Sequence, residues 1–201
     1  MSDHSLCSYN EKYQFLPLTC TGTCKVKYRP EDDWDFYLDM SHMQKPIDMS
    51  LILPHYRARH QPVNHLMSMF VASETSHMRL KICRPALSSR FYVELRAVSS
   101  DITVWLPSDF KGKIYYTGKA KFSAGFVNKI MGNVSFNDDL LCNPCTEDVA
   151  VVSTSGHVTF RMWDVRTCSP EVAHKEAMRR MFACVRKAPE TAINWDFLLE
   201  D

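Results

Sequence analysis

Two close pairs of cysteines are the most chemically suggestive spacing in this chain. Cys20-Thr21-Gly22-Thr23-Cys24 is C-x3-C, and Cys142-Asn143-Pro144-Cys145 is C-x2-C. Turn residues between two thiols can aim both at one ion, and four thiolates complete a tetrahedral zinc site. Cys20, Cys24, Cys142 and Cys145 are therefore the candidate metal ligands. Spacing is all that supports them, because neither pair sits in a zinc-ribbon context. The expectation is free thiols and no cofactor. Cys142 and Cys145 also fail as a redox pair of the thioredoxin kind, which places its first cysteine at a helix N-terminus after a strand. Here the pair follows Asn137-Asp138-Asp139 and precedes a strand.

Other chemistry-bearing residues form weaker patterns. His55, His60 and His65 follow H-x4-H-x4-H, but Pro54 and Pro62 prevent a helix that would give them a common face. Asp138-Asp139 with Glu147-Asp148 can supply a carboxylate pair, although turns attract acids for local hydrogen bonds. His157, Asp164 and one of several serines can be composed into a triad, which composition alone always permits. No G-x-S-x-G, P-loop, H-E-x-x-H or G-x-G-x-x-G occurs. Lys111, Lys113, Lys119 and Lys121 flank Tyr115, Tyr116 and Phe122, a basic-aromatic mixture like that of strands that bind nucleic acid. With 24 Lys+Arg against 23 Asp+Glu and a net charge of +1, the general positive field of a nucleic-acid binder is missing. These lysines read instead as the exposed face of a strand pair, where lysine discourages edge pairing.

The elements that must position these residues are mostly strands. Short runs rich in β-branched and aromatic residues recur over 66–72, 77–83, 91–98, 102–106, 113–117, 134–136, 149–153 and 158–165, separated by turn residues. A weak repeat links four of them. Ser76-His77-Met78-Arg79-Leu80, Ser100-Asp101-Ile102-Thr103-Val104, Gly132-Asn133-Val134-Ser135-Phe136 and Gly156-His157-Val158-Thr159-Phe160 share the order small, polar, apolar, polar, apolar, at offsets of 24, 32 and 24 residues. Each copy is a turn feeding a strand with one inward face, and such units must stack to bury it. Trp34, Phe36, Leu38 and Met40 alternate as a half-buried strand does. Ser169 is placed to cap a helix with Pro170 in its first turn. Val172, Ala177, Met181, Cys184 and Val185 would line its buried side, and Pro189 would stop it.

The expected fold is mainly β: a single β-rich domain, a short solenoid or a sandwich, with one C-terminal amphipathic helix and an N-terminal arm. The boundaries are 1–48 for an arm packing on the body, 49–168 for the β-rich domain, 169–188 for the helix and 189–201 for a tail. A 201-residue chain with 45 % hydrophobic and 23 % charged residues can build a core without disulfides or metals. The start, Met1-Ser2-Asp3-His4-Ser5-Leu6-Cys7, has neither the basic nor the apolar region of a secretion signal, and no apolar run approaches a membrane span. A cytoplasmic protein with reduced thiols is expected.

Asp101 to Ile114, which includes Trp105-Leu106-Pro107-Ser108-Asp109-Phe110-Lys111-Gly112, resembles an uncharacterised β-rich family of basidiomycete fungi, a domain of unknown function. Ser123-Ala124-Gly125-Phe126 and His157 to Val165 carry the same resemblance, which runs from about Met49 to Val165. The strand-turn rhythm is also similar to adhesin-like β-solenoid domains. The resemblance implies a β fold and a fungal source. The family carries no agreed activity, so no catalytic residue follows from it. The expected function is a non-catalytic binding or scaffolding module of the fungal cytosol, with a protein or small molecule as partner and without nucleic acid. The alternative is an enzyme or accessory factor of fungal secondary metabolism acting on a small apolar substrate.

Overall fold

The structure, a computed structural model, describes residues 20–85, 89–137 and 147–171. It is mainly β. The strands are β1 (Thr21–Lys25), β2 (Phe36–Asp39), β3 (Ile47–Ile52), β4 (Met67–Ser73), β5 (Met78–Cys83), β6 (Phe91–Ala97) and β7 (Ile102–Pro107), followed by β8 (Gly112–Tyr116) and β9 (Lys119–Phe122). After a short helix α1 (Ala124–Lys129) come β10 (Val134–Phe136), β11 (Asp148–Ser153), β12 (His157–Asp164) and β13 (Ser169–Pro170). Among the described residues, no helix is long and apolar enough to cross a membrane.

The strands form two sheets, and the chain visits them alternately from β1 to β9. The first sheet runs β1-β3-β5-β7-β12, with β9 and β13 both on the far side of β12. The second runs β2-β4-β6-β11-β8-β10. Every pairing is parallel except that of β12 with β13. Successive turns of chain stack so that inward residues fall in rows. Ile47, Met78, Ile102, Val158 and Ala120 are one row, and Met49, Leu80, Val104, Phe160 and Phe122 the next. Phe36, Met69, Val93, Ala150, Ile114 and Phe136 face them from the second sheet. The repeat is thereby explained for three of its copies. Those at 76, 100 and 156 start β5, β7 and β12 in matching register, and their six apolar residues are all 0 % exposed. The copy at 132 feeds β10 in the other sheet, and its Val134 and Phe136 are half-buried against the core.

The turns stack by hydroxyl-to-carbonyl bonds. Ser100 Oγ donates to the Ser76 carbonyl at 2.8 Å, and Thr154 Oγ1 to the Ser100 carbonyl at 2.7 Å. Gly156, the small residue of its repeat copy, lies so close that an added Cβ would meet the Ser100 oxygen at 2.9 Å.

The order of the last strands breaks the simple winding. Once β10 has added outside β8, the chain returns, and β11 enters between β6 and β8 while β12 enters between β7 and β9. The link from β7 to β8 therefore spans a gap that the later strands fill. Asp148, the first residue of β11, holds them there. Arg84 Nη1 donates to both Asp148 carboxylate oxygens at 2.9 Å, and Asp148 also accepts the backbone N–H of Phe91 at 3.2 Å and of Lys111 at 3.4 Å. Phe91 opens β6, and Lys111 immediately precedes β8, so one carboxylate is tied to both flanking strands. Arg84 and Asp148 are 5 % and 3 % exposed. On its other side Arg84 reaches Asp109 from Nη2 at 2.8 Å. Gly112 permits the close fit: at φ +150°, an added Cβ would lie 2.0 Å from the Asp148 carbonyl oxygen.

Three expectations change. The residues placed in an arm over 1–48 supply β1, β2 and the first residues of β3 to the sheets, so the boundary at 48 falls inside a strand. Ser169 and Pro170 do not begin a helix. They pair as β13 with Asp164 and Trp163, and the Glu171 N–H donates to the Met162 carbonyl at 2.9 Å. The reason is an open edge: β9 stops pairing at Phe160, which leaves the second half of β12 to be completed by the returning chain. The rest of the expected helix and the tail lie outside the described residues. Third, β8 and β9 are not a strand pair, since they belong to different sheets.

Burial sets the stability of the Arg84–Asp148 pair. Desolvation pushes the Asp148 carboxyl up, while Arg84 and the two N–H donors pull it down. Arg84→Met leaves a buried carboxylate unpaired and should cost about 3–5 kcal/mol in urea unfolding at neutral pH, while the exposed Arg166→Ala should stay within about 0.5 kcal/mol. Without Arg84 the Asp148 pKa in the folded state rises further above its unfolded value. Stability contributed by such a group is full at low pH and falls as pH rises. The deficit of Arg84→Met should therefore shrink as the pH is lowered from 7 to 5, and a deficit constant with pH would contradict this account.

Candidate functional site

Alternation along the first sheet sends every second residue outward. At one level the outward residues are Thr23, Ser50, Lys81, Trp105 and Arg161, on β1, β3, β5, β7 and β12 in direct register. Trp105 is the centre of this row. Its ring centroid lies 5.4 Å from Lys81 Nζ and 5.3 Å from the Arg161 guanidinium carbon, with Arg79 at 5.7 Å from the level below. Among the described residues, one carboxylate serves these cations: Asp48 is 2.8 Å from Lys81 and 3.7 Å from Arg79. Arg161 has no carboxylate within ion-pair distance among the described residues. Trp105 is 3 % exposed, and its Nε1 and the Arg161 Nε are buried N–H donors without an acceptor among the described residues.

Beside this row, toward the strand ends, is a cleft of about 350 Å³ lined by Thr23, Ser50, Ile52, His55, Cys83, Arg84, Pro85, Trp163 and Cys168. Its apolar part is Ile52, Pro85 and Trp163. Cys83 is two residues beyond Lys81, and Trp163 two beyond Arg161, so the cleft begins about 7 Å from the cations. Its thiols differ. Burial pushes Cys83 up to about 11, against the pull of Lys81, whereas Cys168 is exposed at a left-handed residue with φ 47°. A thiol raised this way is a weak nucleophile at neutral pH.

The outer face of the second sheet is chemically quieter. Tyr37 stacks on Phe70 at 5.1 Å, and the Arg96 guanidinium carbon lies 5.4 Å from the Phe70 ring. Arg96 Nε donates to Glu94 at 2.6 Å, and the Tyr92 hydroxyl donates to the same carboxylate at 3.1 Å. Its charges and rings satisfy one another.

The residues singled out from the sequence are distributed as follows. Cys20 is buried in the core and Cys24 half-buried on β1, with its thiol pushed up by burial, and both are free; Cys142 and Cys145 lie outside the described residues. Among the described residues, no group of three or more His, Cys, Asp or Glu side chains is arranged to hold a metal. The three histidines are not gathered: His55 lines the cleft, His60 is exposed, and His65 bonds Asp35 at 2.7 Å. His157 pairs with Asp101 at the start of β12 while Asp164 ends the same strand, so no triad forms from them. Asp148 belongs to the Arg84 pair, and Asp138 and Asp139 lie outside the described residues. Of the basic-aromatic mixture, Lys113 and Tyr115 face outward from the second sheet, Lys119 and Lys121 from the first, and Tyr116 and Phe122 join the ring cluster around Phe160.

The Trp105 row was missed in the sequence, although the repeat contains it. Lys81, Trp105 and Arg161 each stand five residues after the first residue of their copies, Ser76, Ser100 and Gly156. Extending the repeat by one residue and applying its register would have found them. No family model, curated protein or solved structure matches the chain.

The two thiols of the cleft should be separable by reactivity. At pH 8, iodoacetamide followed by peptide mapping should modify the exposed Cys168 at least tenfold faster than Cys83, because Cys83 is buried and its thiol is pushed up. Equal rates would mean that Cys83 is neither buried nor raised.

Proposed function

We propose that this protein is a non-catalytic binding module of the fungal cytosol, built as a short solenoid that presents the outer face of its first sheet to a small ligand. The observation that carries the reading is the Trp105 row. A buried donor left without an acceptor costs about 1–3 kcal/mol. Two of them on adjacent strands, beneath cations that outnumber their carboxylate, find no acceptor among the described residues, which supports a ligand that brings one. The solenoid reading is supported by the parallel pairing and the alternation of the chain between sheets, since sandwiches are built mainly from antiparallel strands. The cytosolic reading is supported by free thiols at Cys20, Cys24, Cys83 and Cys168. The fungal source rests on the sequence resemblance alone.

The cleft favours a second reading, an enzyme or accessory factor of secondary metabolism. Its volume of about 350 Å³ lies at the small end of ligand pockets, and apolar Ile52, Pro85 and Trp163 meet polar Ser50, His55 and Arg84 there. The high pKa of Cys83 argues against a nucleophilic role for that thiol.

A metabolite library screened against the ¹⁵N-labelled protein separates the two. The binding reading expects ligands that shift the Trp105 and Trp163 indole signals together and are recovered chemically unchanged. Ligands that shift only other regions would overturn the site. Conversion of a bound compound at a rate that falls in His55→Ala or Cys83→Ala would replace the binding module with the enzyme.

A further inference from the structure

We infer that the Trp105 row is a phosphomonoester site, taking a soluble molecule with a phosphate at one end and a small apolar body at the other. This rests on the binding reading above and adds the chemical class of the ligand.

Charge comes first. Arg79, Lys81 and Arg161 surround one indole, and among the described residues Asp48 is the carboxylate beside them, which leaves two positive charges there. A phosphomonoester carries about −1.5 to −2 at neutral pH and neutralises them. A carboxylate leaves one uncompensated.

Hydrogen bonding points the same way. Among the described residues, the Trp105 Nε1–H and the Arg161 Nε–H have no acceptor. A guanidinium presents its donors in a planar fork that matches phosphate oxygens, and Lys81 retains donors beyond the one given to Asp48. Three phosphate oxygens can serve an indole, a guanidinium and an ammonium at once. A carboxylate has two oxygens for the same three groups.

Shape supplies the second half of the ligand. The cleft with Ile52, Pro85 and Trp163 opens on the same face as the row, so an apolar substituent on the phosphate has a place to lie. Entry passes the cations themselves. Arg79 and Lys81 sit over the Trp105 ring, and the Arg79 side chain is 48 % exposed. Both have long flexible stems that can swing toward an incoming phosphate and uncover the indole edge.

Hexyl phosphate is the probe. Titrated into the ¹⁵N-labelled full chain, it should move the Trp105 indole signal, identified by its loss in Trp105→Phe. Arg161→Gln should weaken the response at least tenfold with its amide spectrum still dispersed, and Lys81→Gln provides a second variant should the first not fold. Hexanoate should bind at least tenfold more weakly. Three results would overturn the inference: an unmoved Trp105 signal with hexyl phosphate, an equal response to hexanoate, or a response confined to vesicles carrying phosphatidic acid. If hexyl phosphate fails while other library compounds still move Trp105 and Trp163, the phosphate assignment falls and the binding module stands. If neither moves them, both fall.

Discussion

The Arg84–Asp148 pair is the interaction on which the strand order depends. Parallel strands supply their own hydrogen bonds, but nothing in backbone pairing tells β11 to enter between β6 and β8 rather than add to the edge. A carboxylate at the start of β11 that accepts N–H groups from both flanking strands makes that position distinct. Such a carboxylate is tolerable inside only with a cation beside it, and Arg84, immediately after β5, delivers one from the other sheet. Buried ion pairs do more for specificity than for stability in the systems where they have that role. Here the specificity would be topological, because the wrong insertion separates the Asp148 carboxylate from its cation, while Arg84 keeps Asp109.

Given that order, packing follows from repetition. Rows of Ile, Met, Leu, Val and Phe from successive turns lie side by side, and at one corner Ser100 and Thr154 each pass a hydroxyl to the carbonyl of the neighbouring turn. At the far end the rings of Tyr116, Phe122, Phe126, Phe136 and Phe160 close the core, with α1 held through Ser123 and Glu171. Glu171 also accepts the Met162 N–H, so the segment after β13 is tied to the strand it covers.

The same geometry separates core positions from surface positions. Inward positions are committed to the core, whereas outward positions of the same strands are free to vary. On the second sheet they have been used for a self-satisfied cluster around Phe70 and Glu94. On the first they hold, among the described residues, an excess of cations around an indole whose N–H has no acceptor. A chain with a net charge of +1 can therefore present one locally positive face, because the fold decides which charges are neighbours.

The strands were legible in the sequence because alternation and turn residues act locally. Eight expected runs correspond to β4, β5, β6, β7, β8, β10, β11 and β12, within a residue or two at each end. The repeat at 76, 100 and 156 also announced its inward residues, since a period of two assigns a face without reference to any partner. What lay beyond reach were relations between distant segments. Ser169-Pro170 carries the local signature of a helix start, but an unpaired edge on β12 draws it into a strand. Lys113 and Lys121 are near in sequence and point from different sheets. Asp148 reads as one acid among several in a turn until Arg84, 64 residues away, is brought against it. Lys81, Trp105 and Arg161 become one site only when three strands align in register. Local rules determined most of the strands and which side of them is apolar; the tertiary structure decided strands such as β13, the strand order and the charge neighbours, because those depend on burial and pairing across distant segments.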